Sequence, residues 1–163
     1  MEITVTKITD KSLADLACSY TVGGEVKVKN MMKLYLSEHS PIRTQMFAIE
    51  MKGIPTFVSV HLVRHKIGVE HFVKSNRPDR GGDGAADRNT PVNHLMVLNA
   101  MALISMARKR LCFKSSEETR LVMEAIKGEL YKVDKELSFC MMPDCEYRHG
   151  CFEFTSCGYW GGE

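Results

Sequence analysis

The sequence contains no run of apolar residues approaching the ~20 that a helix needs to cross a bilayer. Its first ten residues, MEITVTKITD, alternate polar with apolar side chains, which is not typical of a signal peptide. Excess charge is also lacking, because the net charge is only +2, so no general affinity for nucleic acid is implied. We therefore expect a cytoplasmic protein with no membrane partner and no nucleic-acid partner.

Cys-x-x-Cys pairs, which are typical of zinc ribbons, are missing although the sequence has six cysteines. Four of the six fall close together near the C-terminus, with His149 among them. In a reducing compartment such a density more often indicates a metal site than disulfides. Two interpretations stay open: a loop-rich tail of partly buried thiols, or a zinc site formed by Cys140, Cys145, Cys151 and Cys157, with His149 as a substitute ligand.

The composition, 44% hydrophobic and 26% charged over 163 residues, is that of an ordinary globular domain. Alternating apolar residues predict strands over residues 2–9 and 45–51, whereas helical spacing predicts a helix after Thr90-Pro91 and another to about Lys135. These elements indicate an α+β domain over residues 1–137. Residues 138–163 are predicted to form a separate cysteine-rich tail.

Positive charge is concentrated in the stretch from Val58 to Arg77, VSVHLVRHKIGVEHFVKSNR. A helix running from Pro55 to about Ile67 would place His61, Arg64, His65 and Gly68 on one face. Arginine meets phosphate or carboxylate through two hydrogen bonds, so this face predicts an anion-binding site. The alternative is a basic face that is merely solvated.

Three segments of the sequence resemble motifs of the flavin-dependent thymidylate synthase (ThyX) family. Arg64-His65-Lys66 followed by Ser75-x-Arg77 is similar to the family signature Arg-His-Arg, spacer, Ser-x-Arg-Tyr, with Lys66 for an arginine and Pro78 for the tyrosine. His39-Ser40-Pro41 resembles the family's His-x-Ser/Thr-Pro segment. Asn99-Ala100 with Arg110 resembles its Asn-Ala-Arg-Ser-Leu helix, in which Met101 stands here in place of the arginine.

The resemblance implies an α+β fold in which helices pack on a small antiparallel sheet, and a homotetramer with sites between subunits. It also implies an enzyme that makes dTMP from dUMP, with FAD as cofactor and with NADPH and methylenetetrahydrofolate as co-substrates. Two alternatives stay open at this point. One is a ThyX-fold protein that binds nucleotide or flavin without catalysis, and the other is a zinc-stabilised module whose basic helix contacts nucleic acid.

The resemblance also implies roles for individual residues. Arg110 is the expected catalytic residue, since it would contact the pyrimidine carbonyl and stabilise negative charge on the ring. The residues expected to bind dUMP are His61, Arg64, Ser75, Arg77 and Arg110. The residues expected to bind FAD are His39, Ser40, Arg64, His65, Lys66 and Asn99.

Overall fold

The computed structural model of the chain describes residues 1–82, 84–85 and 87–161; residues 162–163, the end of the predicted tail, lie outside the described part. The strands in these ranges are β1 (Glu2–Lys7), β2 (Met46–Pro55), β3 (Val69–Val73) and β4 (Pro91–Asn99). The α-helices are α1 (Lys11–Val22), α2 (Met31–Ser37), α3 (Thr56–Leu62), α4 (Ala100–Arg110), α5 (Glu117–Val133), α6 (Lys135–Cys140) and α7 (Asp144–Arg148). Two short 3-10 helices span Ser40–Thr44 and Pro78–Arg80.

The strands form one antiparallel sheet in the order β1-β2-β4-β3. The register of the central β2-β4 pair shifts between Met51 and Ile54, where Gly53 has a φ of 72°. Such a bulge bends the strand and increases its twist. Beyond the bulge, β2 continues as far as Pro55 and leads directly into α3.

One face of the sheet carries the core. Alternate side chains of the central strands point to that face, as the period of two in a strand requires. They pack with buried residues of α3, α4, α5 and α6 in one cluster, while Glu50 and Phe72 are exposed on the opposite face. The core residues that the two central strands contribute are Phe47, Ile49, Met51, Ile54, Met96 and Leu98.

This architecture confirms the predicted α+β class, in which helices accompany a small antiparallel sheet. Within the ranges that the structure describes, no helix has the length and apolar character needed to cross a membrane.

α3 is shorter than predicted, because it ends at Leu62 rather than near Ile67. The residues that follow form a loop that turns at Gly68, whose φ of 73° lies in the left-handed region that favours glycine. After this turn the chain continues as β3 along β4. The loop thus separates the residues that a longer helix would have placed on one face, namely His61, Arg64, His65 and Gly68.

The helix predicted from Thr90 is also wrong at its start, because β4 occupies those residues and α4 begins only after Asn99. The Oδ1 atom of Asn99 accepts a hydrogen bond from the Ala102 N–H at 2.9 Å and caps the helix. Val97 and Met101 are four residues apart, which is the spacing expected of one face of a helix. In the structure Val97 lies between the buried Met96 and Leu98, so it points to the opposite face of the sheet, whereas Met101 packs against the core from the first turn of α4.

The boundary predicted after residue 137 falls inside α6, and the chain stays buried in the core as far as Met141. Residues 144–161 are partly or fully exposed, and they cover the end of α4. Lys109 in that helix pairs with Glu153 at 2.9 Å. The part that resembles a tail therefore begins after α6.

Candidate functional site

Three segments that are distant in the sequence meet at the end of β4. The Asn99 N–H donates to the carbonyl of Gly68 at 3.0 Å, and the Ala100 N–H donates to the carbonyl of Gln45 at 2.9 Å. These bonds hold the loop before β3 and the 3-10 helix before β2 against the start of α4. Asn99 thus ends the strand, caps the helix and fixes the loop.

A cavity of about 640 Å³ opens between these three segments. Arg43 reaches it from the 3-10 helix, and Arg64 and Lys66 reach it from the loop. The other residues of its lining are His65, Ile67, Gly68, Asn99, Met101, Ala102 and Ser105.

The cavity is positively charged. In the part of the chain that the structure describes, its lining contains no Asp or Glu, and Arg43, Arg64 and Lys66 form no ion pair. Three uncompensated cations on two different segments favour an anionic ligand. The planar forks of the two arginines suit phosphate or carboxylate oxygens in particular.

Arg110 lies behind the cavity wall. Its Nε–H donates to Nε2 of His65 at 2.9 Å, and its Nη2 donates to the carbonyl of His61 at 2.7 Å. Burial lowers the pKa of the guanidinium, and the nearby charge of Arg64 lowers this pKa further. The guanidinium N–H groups that are not used in these two bonds are the ones that could donate to a ligand.

Arg110 fixes the His65 ring in one tautomer. Because arginine only donates, Nε2 of His65 accepts, and the proton of the neutral ring is on Nδ1. Burial, followed by the charge of Arg110 and the proximity of His71, lowers the pKa of His65 to about 4. At neutral pH His65 is therefore an uncharged N–H donor in the cavity wall, and not a further cation.

The low pKa of His65 predicts how stability depends on pH. Folding lowers its pKa from an ordinary 6.5 to about 4, and that of the buried His94 by a similar amount. Between these values the unfolded chain binds more protons than the folded chain. The stabilisation is thus complete above pH 6.5 and is lost as the pH falls towards 4. We expect the melting temperature, followed by circular dichroism, to fall across this window, and to fall less steeply in His65→Gln.

The matched control for this prediction is His39→Gln, because His39 is exposed at the start of the 3-10 helix. It should reproduce the wild-type slope of melting temperature against pH. Comparing slopes, and not absolute values, removes the contribution of carboxylates that titrate in the same window. Identical slopes in the wild type and in His65→Gln would contradict the assignment.

The structure brings only some of the predicted flavin-binding residues together. His39 and Ser40 are exposed and do not line the cavity, although the 3-10 helix that they begin does reach it. His61, predicted to bind nucleotide, uses Nδ1 in a 2.9 Å hydrogen bond with Thr119 Oγ1. The predicted residues that line the cavity are Arg64, His65, Lys66 and Asn99.

Ser75 and Arg77 lie at the other end of β4. The Lys74 N–H donates to the carbonyl of Asn93 near the start of that strand, whereas the cavity is at its end. Since a strand rises about 3.3 Å per residue, the two places are about 20 Å apart. Arg77 is exposed there and pairs with Asp79 at 2.8 Å. Within one chain the structure does not bring Ser75 and Arg77 to the cavity.

The predicted zinc site is not formed. Among the described residues, no three Cys, His, Asp or Glu side chains are arranged so that they could hold a metal ion. Cys140 is buried and its thiol donates to the carbonyl of Glu136, whereas Cys157 is exposed. Aromatic contacts order this region instead, such as the stacking of Phe113 on Tyr159. The residues predicted as ligands are Cys140, Cys145, Cys151 and Cys157, with His149 as a substitute.

Arg43 is the cavity cation that the sequence analysis did not identify. It follows the His39-Ser40-Pro41 segment, which was predicted to border a ligand. A single turn of 3-10 helix brings the residues after Pro41 round to the cavity. The available signal was therefore that Arg43 is the first cation after a candidate binding segment.

Solved structures share the fold of this chain. Thymidylate synthase X (ThyX) from Helicobacter pylori, crystallised with FAD and dUMP, matches over 89% of this chain and 99% of its own, with a TM-score of 0.71 and 15% identity. A second structure of that enzyme with FAD and dUMP matches over 87% and 100%, with a TM-score of 0.72 and 14% identity. The UMP/dUMP methylase PolB from Streptomyces cacaoi, bound to 5-Br dUMP, matches over 85% and 94%, with a TM-score of 0.64 and 14% identity.

No protein-family model matches the sequence, and no curated protein sequence matches it either. At 14–15% identity the structural matches establish a common fold. The fold of the chain is therefore ThyX-like, and what the site binds has to be argued from its own residues.

Proposed function

We propose that this protein is a ThyX-like enzyme that binds a flavin and a pyrimidine nucleotide. The observation that carries the proposal is the cavity of about 640 Å³, around which three cations without counter-ions lie. The chain also shares its fold with structures that hold FAD and dUMP. A solvated basic surface would not gather its cations from separate segments around one concave site.

The residues of the cavity fit a cofactor such as FAD, which carries two linked phosphates. Arg43 and Arg64 come from different segments, so they can grip neighbouring phosphate oxygens from two sides. Lys66 adds a point charge, and the Nδ1–H of His65 adds a neutral donor. When bound, FAD would supply hydride-transfer chemistry, while the protein supplies position and charge.

We further propose the reaction that the sequence resemblance implies, which is reductive methylation of dUMP to dTMP with methylenetetrahydrofolate and NADPH. Arg110 is the proposed catalytic residue. Its side chain is held by His65 and by the carbonyl of His61, so its free N–H groups have a fixed direction. A fixed donor stabilises developing negative charge more effectively than a mobile one, because it needs no reorganisation during the reaction.

We propose that the active form is a homotetramer. In one chain Ser75 and Arg77 lie about 20 Å from the cavity, by the rise of the strand between them. Their proposed role in binding dUMP therefore requires that another copy of the chain places them at the site. Assembly of this kind is common, since most soluble oligomers are symmetric and contain identical chains.

A protein that binds these ligands without turnover is the second candidate. The specific observation in its favour is that Met101 lines the cavity at the position of the arginine in the ThyX motif Asn-Ala-Arg-Ser-Leu. Because Met101 is apolar, the cavity has one cation fewer than that motif would provide. Binding and turnover therefore have to be measured separately.

We expect the purified protein to bind FAD, and we expect Arg43→Ala and Arg64→Ala each to weaken binding about tenfold or more. The physical reason is that a charge-assisted hydrogen bond contributes about 1.5–3 kcal/mol. Flavin absorbance and the quenching of flavin fluorescence during titration provide the affinities. Lys27→Ala is the control, because its ammonium is exposed, pairs with Glu25 and does not line the cavity.

Three outcomes separate the candidates. FAD binding with NADPH oxidation that requires both dUMP and methylenetetrahydrofolate, and with dTMP as product, supports the enzyme. FAD binding without turnover supports the second candidate. No FAD binding, or equal affinities in Arg64→Ala and Lys27→Ala, would overturn both. Sedimentation equilibrium tests the assembly, and a monomer at assay concentration would reject the homotetramer.

A further inference from the structure

A row of three hydrogen-bonded polar side chains, two of them buried and one partly buried, lies directly behind the loop that carries Arg64 and Lys66. It consists of Ser59 in α3, His94 in β4 and His71 in β3. Ser59 and His94 are almost fully buried, with 3% and 2% of their surface exposed. The row ends at the carbonyl of His65, the residue between the two cations.

The strand register brings the two histidines together. In the β3-β4 pair, His71 lies opposite Met96 and Val73 lies opposite His94, so the two histidines are diagonal neighbours on the core face. Nδ1 of His71 lies 3.0 Å from Nε2 of His94, and Nδ1 of His94 lies 3.0 Å from the hydroxyl of Ser59. At the other end, Nε2 of His71 lies 2.8 Å from the carbonyl oxygen of His65.

When both histidine rings are neutral, the chemistry of these groups gives every hydrogen bond one direction. A carbonyl oxygen only accepts, so Nε2 of His71 carries a proton and donates to His65. In a neutral ring Nδ1 of His71 is then an acceptor, and Nε2–H of His94 donates to it. Nδ1 of His94 accepts in turn from the hydroxyl of Ser59. Burial, followed by the neighbouring His71, lowers the pKa of His94 to about 4, which agrees with a neutral ring.

We infer that His71, oriented by His94 and Ser59, is a positioning residue that holds the Arg64-His65-Lys66 wall of the cavity in its binding geometry. His71 does not line the cavity, so its effect on a ligand is transmitted through the carbonyl of His65. Removing the tether frees the backbone between two cations. This inference depends on the proposed function in one respect only, which is that FAD is taken as the ligand of the cavity.

The loop has few other restraints. The His65 N–H donates to the carbonyl of Leu62, and the carbonyl of Gly68 accepts from Asn99, both at 3.0 Å. The first bond closes a turn that contains Arg64, and the second holds the Gly68 end of the loop. The His65 carbonyl is held by His71, and the His65 ring is held by Arg110. Loss of the His71 tether therefore frees the backbone between His65 and Gly68, which carries Lys66, and leaves the Arg64 turn held only on its other side.

The test compares His71→Gln with His71→Phe. Glutamine places an amide N–H near the position of Nε2 and keeps the donor to His65, whereas phenylalanine keeps a ring and removes the donor. Both variants lose the acceptor for His94, so both are expected to lose stability. A purely structural role predicts similar behaviour of the two variants, whereas a positioning role predicts that glutamine rescues the loop.

Two measurements need no ligand. Long-range proton–nitrogen correlation spectra of the wild type should show His71 and His94 protonated on Nε2 and His65 protonated on Nδ1. The backbone N–H groups of His65 and Asn99 are hydrogen-bonded to the carbonyls of Leu62 and Gly68. Their exchange with solvent should accelerate about tenfold or more in His71→Phe and stay within about threefold of the wild type in His71→Gln. A His71 ring without a proton on Nε2, or equal exchange in the two variants, would overturn the inference.

Titration with FAD then tests the effect on binding. We expect His71→Phe to bind FAD about tenfold more weakly and His71→Gln to bind it within about threefold of the wild type. Ser59→Ala, at the far end of the row, should also stay within about threefold. If the wild type binds no FAD, the proposed function fails while the exchange data still decide the role of His71. If it binds FAD and His71→Phe binds equally well, the inference fails alone.

Discussion

A chain carrying Gly68→Ala is expected to lose about 2–3 kcal/mol of unfolding free energy and most of its affinity for an anionic ligand. A Cβ atom at Gly68 would lie 2.5 Å from Nδ2 of Asn99, and 3.1 Å from both Cγ and Oδ1 of the same side chain. The φ of 73° adds strain for any residue with a Cβ. The change is small in chemical terms, but it falls where three segments meet.

The side chain of Asn99 cannot move away from this contact without breaking a hydrogen bond. Its Oδ1 accepts from the Ala102 N–H and caps α4, and its backbone N–H holds the carbonyl of Gly68. A displaced amide therefore gives up the cap, which contributes about 1 kcal/mol, in addition to the 1–2 kcal/mol of left-handed strain. Because Gly68 and Asn99 both line the cavity, we expect FAD affinity to fall by more than tenfold.

Two other glycines provide matched controls. The φ of Gly53, 72°, is nearly equal to that of Gly68, but an added Cβ at Gly53 would have no atom within 4 Å. Gly53→Ala therefore measures the backbone strain alone. Gly128 lies inside α5 with similar free space, and Gly128→Ala should raise stability by up to about 1 kcal/mol. Chemical denaturation provides the free energies. If Gly68→Ala and Gly53→Ala have equal effects on stability, the contact with Asn99 contributes nothing.

Local patterns in the sequence predicted the fold class but not the course of the chain around the cavity. The strand expected over residues 2–9 is β1, and the helix expected to about Lys135 corresponds to α5, which ends at Val133. Both elements have a single periodicity throughout. The errors fall at Leu62 and Asn99, where a helix gives way to a loop and a strand gives way to a helix. At such places the periodicity changes within a few residues.

The distance between Arg64 and Arg77 shows what this error means for a site prediction. A long helix followed by a loop would place both arginines at one anion-binding site, and the spacing of the motif favoured that interpretation. In the structure β3 starts at Val69 and carries the chain away along β4. Motif order alone could not reveal this, because the direction of β3 is set by its pairing with β4, some twenty residues later.

The three cations at the end of α4 show a second limit of sequence reasoning. Consecutive residues of a helix point about 100° apart, so three neighbours must face three directions. Arg108 pairs with Glu38, Lys109 pairs with Glu153, and only Arg110 turns towards His65. The divergence follows from helix geometry, whereas the choice of Arg110 follows from segments that lie far away in the sequence.

The largest stability effect is expected at Asp134, where Asp134→Ala should lower the free energy of unfolding by about 3–5 kcal/mol. This carboxylate is 5% exposed. Its Oδ2 accepts from the hydroxyl of Tyr35 at 2.8 Å and from Nζ of Lys7 at 2.7 Å, and its Oδ1 caps α6 by accepting from the Leu137 N–H at 3.0 Å. One side chain therefore connects β1, α2 and α6.

Two further variants separate the parts of this effect. Tyr35→Phe removes one buried donor and should lower the unfolding free energy by about 1–2 kcal/mol. Glu129→Gln is the surface control, because Glu129 pairs with Lys132 at the surface, where their side chains are 33% and 65% exposed. Such a pair should contribute less than about 1 kcal/mol. Thermal and chemical denaturation of the three variants should therefore rank Asp134→Ala first, Tyr35→Phe second and Glu129→Gln last.

The expected order follows from what each change leaves behind in the folded protein. Tyr35 is fully buried, and burial followed by the Asp134 carboxylate raises the pKa of its hydroxyl, so it remains a donor that needs an acceptor. Asp134→Ala leaves that donor and the Lys7 ammonium without their acceptor and removes the cap of α6, whereas Glu129→Gln leaves only groups that water can reach. At roughly 2–4 °C per kcal/mol for a domain of this size, the melting temperature should fall by about 10 °C in Asp134→Ala. A fall as small as that of Glu129→Gln would show that the connection between β1, α2 and α6 does not depend on this carboxylate.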